Sequence, residues 1–240
     1  DRAGEVGRLL DISHFDLKRI FEQEGVGIVH ISGLIAALSP ETGELCVELA
    51  QYAKRCGTKV SFDLNHRATF WDGREEELRA MFTEIANTAD ILIGNEEDYQ
   101  LCLDIKGPEA GGHDLTDKLD NFKDMIFRVK ECFPNVSVYA NTLRQVISAN
   151  EHLWGAILLA DDDLYYAEPR LIPVIDRIGG GDGFVGGLLY GLLRGFSAED
   201  AMRFAWATGV YATTVIEDYA SPASEAQVWS IWDGNARVQR

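Results

Sequence analysis

The residues best suited to chemistry are Asp176-Arg177-Ile178-Gly179-Gly180-Gly181-Asp182-Gly183-Phe184, followed by the apolar run Val185 to Leu193. Three consecutive glycines between two carboxylates, at the start of an amphipathic helix, leave backbone N–H groups free to face an anion. Without Cβ atoms the chain can approach that anion closely, and the helix N-terminus adds partial positive charge. Asp182 is out of place in a site that only holds phosphate, because a carboxylate repels it. It makes sense as the general base for a hydroxyl that attacks the phosphate, with the amides of Gly179, Gly180 and Gly181 holding the transferring group. The chemistry implied is phosphoryl transfer to an alcohol. The plain alternative is a Gly-rich turn with an acidic helix start; the flanking pattern favours the catalytic reading.

Two competing motifs fail on context. Gly181-Asp182-Gly183-Phe184-Val185-Gly186 formally matches GxGxxG, but a dinucleotide fingerprint needs a βαβ unit around it. From Phe184 onward the chain reads only as helix and loop. A Walker A loop needs a Gly-Lys-Ser/Thr triplet, and none occurs.

The elements that must position this loop read as a parallel α/β pattern. Strands are expected at Gly27–Ile31, Lys59–Asp63, Asp90–Gly94 and Val136–Ala140, with helices over Pro40–Arg55, Arg74–Ala89 and Leu115–Cys132. Short antiparallel strands are expected at Gln145–Ser148, Trp154–Leu159 and Leu164–Ala167, the run Asp161-Asp162-Asp163 being a solvated hairpin turn rather than a metal site. Gly107–Asp114 reads as loop. Two long helices follow from Gly181, broken at Arg194–Ser197, and a third lies near Ser224–Trp232. In open parallel sheets ligands lie beyond the carboxyl ends of the strands. That directs attention to Ser32-Gly33, Asn65-His66-Arg67, Asn95–Asp98 and Thr142-Leu143-Arg144. His30 reads as a core histidine, and His66 has no evident partner.

With 240 residues and 46% hydrophobic content the chain can bury a substantial core, most simply as one domain over residues 1–240. A net charge of −17 with no basic stripe argues against nucleic acid and anionic membranes as partners. Cys46, Cys56, Cys102 and Cys132 follow no metal-like spacing and read as reduced, mostly buried small hydrophobes. With no apolar run of spanning length and no signal-like start, the expectation is a soluble, cytoplasmic protein. The opening Asp1-Arg2 lacks Met, consistent with processing or truncation.

The glycine stretch closely resembles the DTxGAGDxF signature of the ribokinase-like (PfkB) sugar kinases, with Asp176, Gly179, Gly181, Asp182 and Phe184 in register. Arg177 stands where that family usually has Thr. Phe62-Asp63-Leu64-Asn65-His66-Arg67 with Phe70-Trp71 resembles the FDxNxRxxxW pattern of 2-keto-3-deoxygluconate kinases, in which the matching arginine contacts the acid sugar. A guanidinium suits that task because it offers a planar fork to a carboxylate. Asn95-Glu96-Glu97-Asp98 resembles the family's NxxE motif, with Asp98 one methylene short of the usual Glu and Glu97 a candidate substitute. Thr142-Leu143-Arg144 resembles a loop that opens onto the nucleotide. Thr213–Asp218 departs from the KHTIPGD pattern of relatives.

The resemblance implies a ribokinase-like three-layer αβα sandwich with a mostly parallel sheet. The chain would be a fragment without the N-terminal strands and most of the β lid. It implies ATP-dependent phosphorylation of a sugar hydroxyl, in first place that of 2-keto-3-deoxygluconate, with Asp182 as base and Gly179, Gly180 and Gly181 as anion hole. Arg67 and Arg2 would bind the sugar, and Thr142, Arg144, Asp176, Gly179 and Gly181 the ATP. Asn95 and Asp98 would organise Mg²⁺, and any homo-oligomer would form through the lid. Kinases of neutral sugars or nucleosides, and a non-catalytic binding protein of the same fold, stay open as alternatives.

Overall fold

The computed structural model describes residues 7, 9–109, 115, 118–216 and 219–234. Arg2, most of the expected loop at 107–114, and the end of the 213–218 segment lie outside the described residues. By contact density the chain divides into two compact units, Asp1–Glu109 with Asn121–Ala140, and Ala110–Asp120 with Asn141–Arg240.

The architecture is the expected three-layer α/β fold on a six-stranded sheet of order β1-β2-β3-β4-β5-β6. In the first unit, β1 (Ile28–Ser32), β2 (Lys59–Asp63) and β3 (Ile91–Gly94) run parallel, with Val29 opposite Val60 and Ser61 opposite Ile91. β3 is buried at all four positions, as a strand covered on both faces should be, whereas β1 is only half-buried and shows His30 to solvent. Among the described residues β1 pairs with β2 alone.

The connecting helices start where the sequence offers caps. A short α1 (Gly33–Ala36) leads to α2 (Pro40–Arg55), opened by a reciprocal cap. There Ser39 Oγ accepts the Thr42 amide at 3.2 Å while Thr42 Oγ1 accepts the Ser39 amide at 3.0 Å. A single turn, α3 (Ala68–Trp71), and α4 (Glu75–Thr88) follow β2; α5 (Glu96–Leu103) follows β3, and α6 (Leu119–Cys132) precedes β4. Phe82 of α4 packs edge-on to Phe62 of β2 and to Trp71 of α3, with ring centroids 5.3 and 4.9 Å apart. The turn that follows β2 is thereby anchored in the core.

β4 (Val138–Ser148) corrects the sequence reading. It is one strand of 11 residues, not two short strands with a loop between them, so Thr142 and Arg144 lie within the strand. Its second half is largely exposed, and polar Asn141, Thr142, Arg144 and Gln145 interrupt the apolar pattern although the strand continues through them. β5 (Glu151–Ala160) and β6 (Asp163–Pro173) pair antiparallel around Asp161 and Asp162, both at positive φ (50° and 69°). That is the backbone a two-residue hairpin turn requires.

Three helices complete the second unit: α7 (Gly180–Arg194), α8 (Ala198–Ala212) and α9 (Glu225–Trp232). α7 and α8 pack closely through small residues. A Cβ on Gly187 would lie 2.5 Å from Thr208 Oγ1 and 2.9 Å from Ala205 Cα. No helix among the described residues is long and apolar enough to cross a membrane.

Candidate active site

The glycine loop lies in the second unit. Its approach is pinned to the end of α8, where the amides of Ile175 and Asp176 both donate to the Thr213 carbonyl, at 2.9 and 3.2 Å. Asp176 then folds the turn, one of its oxygens accepting the Ile178 amide at 2.9 Å. Gly179 is the N-cap of α7 at φ 81°, a conformation that L side chains rarely adopt. The first backbone bond onto this helix runs from the Gly183 amide to the Gly179 carbonyl at 2.7 Å. The amides of Gly180, Gly181 and Asp182 precede it and are the unsatisfied donors of the helix start. Asp182 is exposed at the third helical position. A Cβ built on Gly181 meets nothing within 4 Å, so the fold itself does not demand a glycine there. The space is open to a ligand.

Beside this loop is a cavity of about 420 Å³, lined by Gly179, Asp182, Gly183, Gly186 and Gly187 together with Tyr190, Phe204, Thr208 and Tyr219. Its volume lies in the usual range for small-ligand sites. Tyr190 and Phe204 stack with ring centroids 5.3 Å apart, and the Tyr190 hydroxyl donates to Glu225, another lining residue. The lining thus combines glycines of one helix with aromatic side chains, the kind of mostly apolar surface that takes a small ligand. Tyr190, Phe204 and Tyr219 escaped the sequence reading because they fall on two different helices and the loop after them, and only packing brings them to one cavity. Thr142 is half-buried and Arg144 exposed on β4. Arg144 and Arg177 both lie near enough to His152 to reinforce the downward pressure that burial puts on its pKa.

The arginine expected to read the sugar lies in the first unit. Asn65, just past β2, is at φ 40°, and its side-chain amide donates to Ser32 Oγ at 3.1 Å. Arg67 is the N-cap of α3, half-buried, with one guanidinium N–H donated to the His66 carbonyl at 2.7 Å. The His66 ring lies against Trp71 with centroids 5.1 Å apart, and burial keeps its pKa below the usual histidine value.

Asn95 and Asp98 form a capping box at the start of α5. The Asp98 amide donates to Asn95 Oδ1, and the Asn95 amide to Asp98 Oδ2, both at 2.9 Å. The other Asp98 oxygen accepts the His66 amide, again at 2.9 Å. Burial pushes Asp98 up to about 6, against the opposing pull of those two amides and of Arg67. Each Asp98 oxygen accepts one backbone amide, which leaves lone pairs free but ties the carboxylate to the cap and the turn. The described residues contain no group of three or more His, Cys, Asp or Glu able to hold a metal ion.

With this geometry in view, comparison with known proteins is informative. The family model described as pfkB family carbohydrate kinase matches residues 154–225, which include the glycine loop and most of the cavity wall. A 5-dehydro-2-deoxygluconokinase from Shouchella clausii is 28% identical over 194 residues, covering 81% of this chain and 52% of the relative. A crystal structure of 2-dehydro-3-deoxygluconokinase from Thermotoga maritima superposes with a TM-score of 0.83 at 26% identity, covering 95% of this chain and 65% of that one. An E. coli protein described as Ribokinase II, in complex with ATP and Mg²⁺, shares the fold at a TM-score of 0.72 and 19% identity, covering 94% of this chain and 64% of its own. The chain spans about half the length of the first curated relative it matches. By sequence and by fold, its relatives are carbohydrate kinases, and the matched segment is the one that carries Asp182.

Proposed function

We propose that this chain is the nucleotide- and acceptor-binding part of a sugar kinase that phosphorylates a keto-deoxy sugar acid from ATP, 2-keto-3-deoxygluconate being the first candidate. The observation that carries the reading is the exposed Asp182 carboxylate on the first turn of α7, at a helix start whose first amides have no helical partner, beside a cavity of about 420 Å³. Asp182 accepts the proton of the attacking sugar hydroxyl. The amides of Gly180 and Gly181 stabilise charge on the phosphoryl group, and the helix start supplies further positive potential. Arg67 pairs with the carboxylate of the acid sugar, and the cavity lined by Gly186, Tyr190, Phe204 and Tyr219 takes the adenine. Thr142, Arg144 and Asp176 belong to the nucleotide side in this reading. The magnesium that accompanies ATP is carried chiefly by the nucleotide phosphates and water, in keeping with its preference for oxygen and retained hydration. Most of the rate enhancement in such a reaction comes from positioning and charge stabilisation.

The test is a phosphorylation screen of the full-length protein against 2-keto-3-deoxygluconate, its 5-dehydro-2-deoxy isomer, fructose, ribose and adenosine, with ADP release as readout. The reading requires the sugar acids to exceed the neutral sugars and the nucleoside in kcat/KM. Preference for a neutral sugar would remove the acid-sugar assignment, and no turnover with any of them would favour a binding protein.

A further inference from the structure

The Asp98 carboxylate bridges two backbone segments that the sequence keeps 29 residues apart, the Asn95 cap of α5 and the turn after β2 that ends in Arg67. Only 7% of the residue is exposed. That turn needs restraint, because Asn65 is a non-glycine residue at φ 40°, a sparsely populated conformation that persists only when surrounding contacts hold it. The Leu64 amide donates to the Ile93 carbonyl at 2.9 Å just before the bend, and the Asn65 side chain donates to Ser32 Oγ at the bend itself. Past it, the His66 amide is held by Asp98, and Arg67 follows immediately.

We propose that Asp98 is a positioning residue that aims Arg67 at the acid end of the sugar, and that it does not organise a metal ion. The aspartate at this position then has a reason. At the third position of α5 its short side chain serves the cap and still accepts the His66 amide. A glutamate there is one methylene longer and would have to fold back to meet both amides. The inference rests on the reading of Arg67 given above.

The experiment is steady-state kinetics of the full-length protein and its D98N, D98E, R67K and R67K/D98N variants. 2-Keto-3-deoxygluconate and fructose serve as acceptors, and Mg²⁺ is titrated in each case. Asn keeps one acceptor and replaces the other with a donor facing an amide, so D98N should raise KM for the acid sugar about tenfold, the scale of one charge-assisted hydrogen bond. It should leave kcat, the fructose KM and the half-saturating Mg²⁺ concentration within about twofold of wild type. The double variant should be little worse than R67K alone, because both changes act through one guanidinium. D98E keeps the charge and serves if D98N does not fold. It too should raise the acid-sugar KM while leaving Mg²⁺ use unchanged. A shift in half-saturating Mg²⁺, or an equal fall in kcat with both acceptors, would assign Asp98 to the metal and overturn the proposal. If R67K itself weakens both acceptors equally, the fault lies with the reading of Arg67, and the Mg²⁺ titration still decides whether Asp98 serves a metal.

Discussion

Gly183 and Ala212 lie so close that a Cβ built on the first stands 2.8 Å from the Cβ of the second, and 2.9 Å from the Thr208 carbonyl oxygen. α7 and α8 therefore meet almost backbone to backbone one residue past Asp182. The close packing fixes the start of α7, and with it the direction of the open amides.

Gly183→Ala should accordingly destabilise the protein by about 1–3 kcal/mol, the usual cost of forcing a carbon into a filled contact. That outweighs the roughly 1 kcal/mol that alanine gains over glycine in a helix. Thermal or urea unfolding gives the answer. A variant as stable as wild type would mean that the two helices separate easily.

Gly186 lies on the same helix but lines the cavity, and a Cβ there meets nothing within 4 Å. Gly186→Leu should fold at least as well as wild type, since leucine is the better helix former. Its side chain would take up space in the cavity that Gly186 lines. ATP-analogue affinity, measured by calorimetric titration, should fall about tenfold or more, a difference of at least 1.4 kcal/mol. Unchanged affinity at unchanged stability would remove the cavity from the nucleotide site.

Asp182→Asn keeps the shape of the side chain and removes its ability to take a proton. General-base catalysis contributes about 10²–10⁴-fold, so kcat in the full-length protein should fall by that factor. Nucleotide binding and the unfolding midpoint should survive. Near wild-type kcat would end the assignment of Asp182 as base.

The cysteines should react in an order set by burial. Burial pushes the Cys46 thiol up to about 12 and holds that of Cys102 far above the usual thiol range, while Cys56 is half-buried and Cys132 exposed. Because the thiolate is the reactive form, a disulfide reagent at pH 8 should label Cys132 first and Cys56 more slowly. Cys46 and Cys102 should be labelled only on unfolding. Rapid labelling of either in the native protein would contradict the packing described for α2 and α5. The expectation of mostly buried cysteines holds for Cys46 and Cys102 and fails for Cys132, on the outer side of α6.

Much of the fold could be read from residue order because burial left a direct trace. β2 runs over Lys59–Asp63 as expected, with Val60, Ser61 and Phe62 all buried, and β3 begins one residue late, its unbroken apolar run marking a strand covered on both faces. The α2 start was legible from Ser39-Pro40, a cap and a first-turn proline. β4 was legible only at its two ends, because Asn141, Thr142, Arg144 and Gln145 interrupt the apolar residues in its middle. In the site, types and spacing pointed to the glycine loop and to Asp182. The partners of Asp98 were hidden, because the His66 amide is a backbone group and leaves no mark in composition. The aromatic walls of the cavity were hidden for another reason: Tyr190 and Phe204 fall on two different helices, and only packing reveals that they stack.

The single neighbour of β1 bears on how this chain behaves in solution. Among the described residues β2 is its one strand partner, so β1 stands at the edge of the sheet, carrying the half-buried Ile28 and Val29. Edge strands are where a sheet can take on a further strand. Mutual repulsion between copies that each carry 17 net negative charges keeps them apart at low ionic strength. Raising the salt shortens the reach of that repulsion, from about 30 Å at 0.01 M to about 3 Å at 1 M. Preparations of this chain should therefore stay monodisperse in dilute buffer and build scattering particles as salt is added, the reverse of an assembly held together by ion pairs.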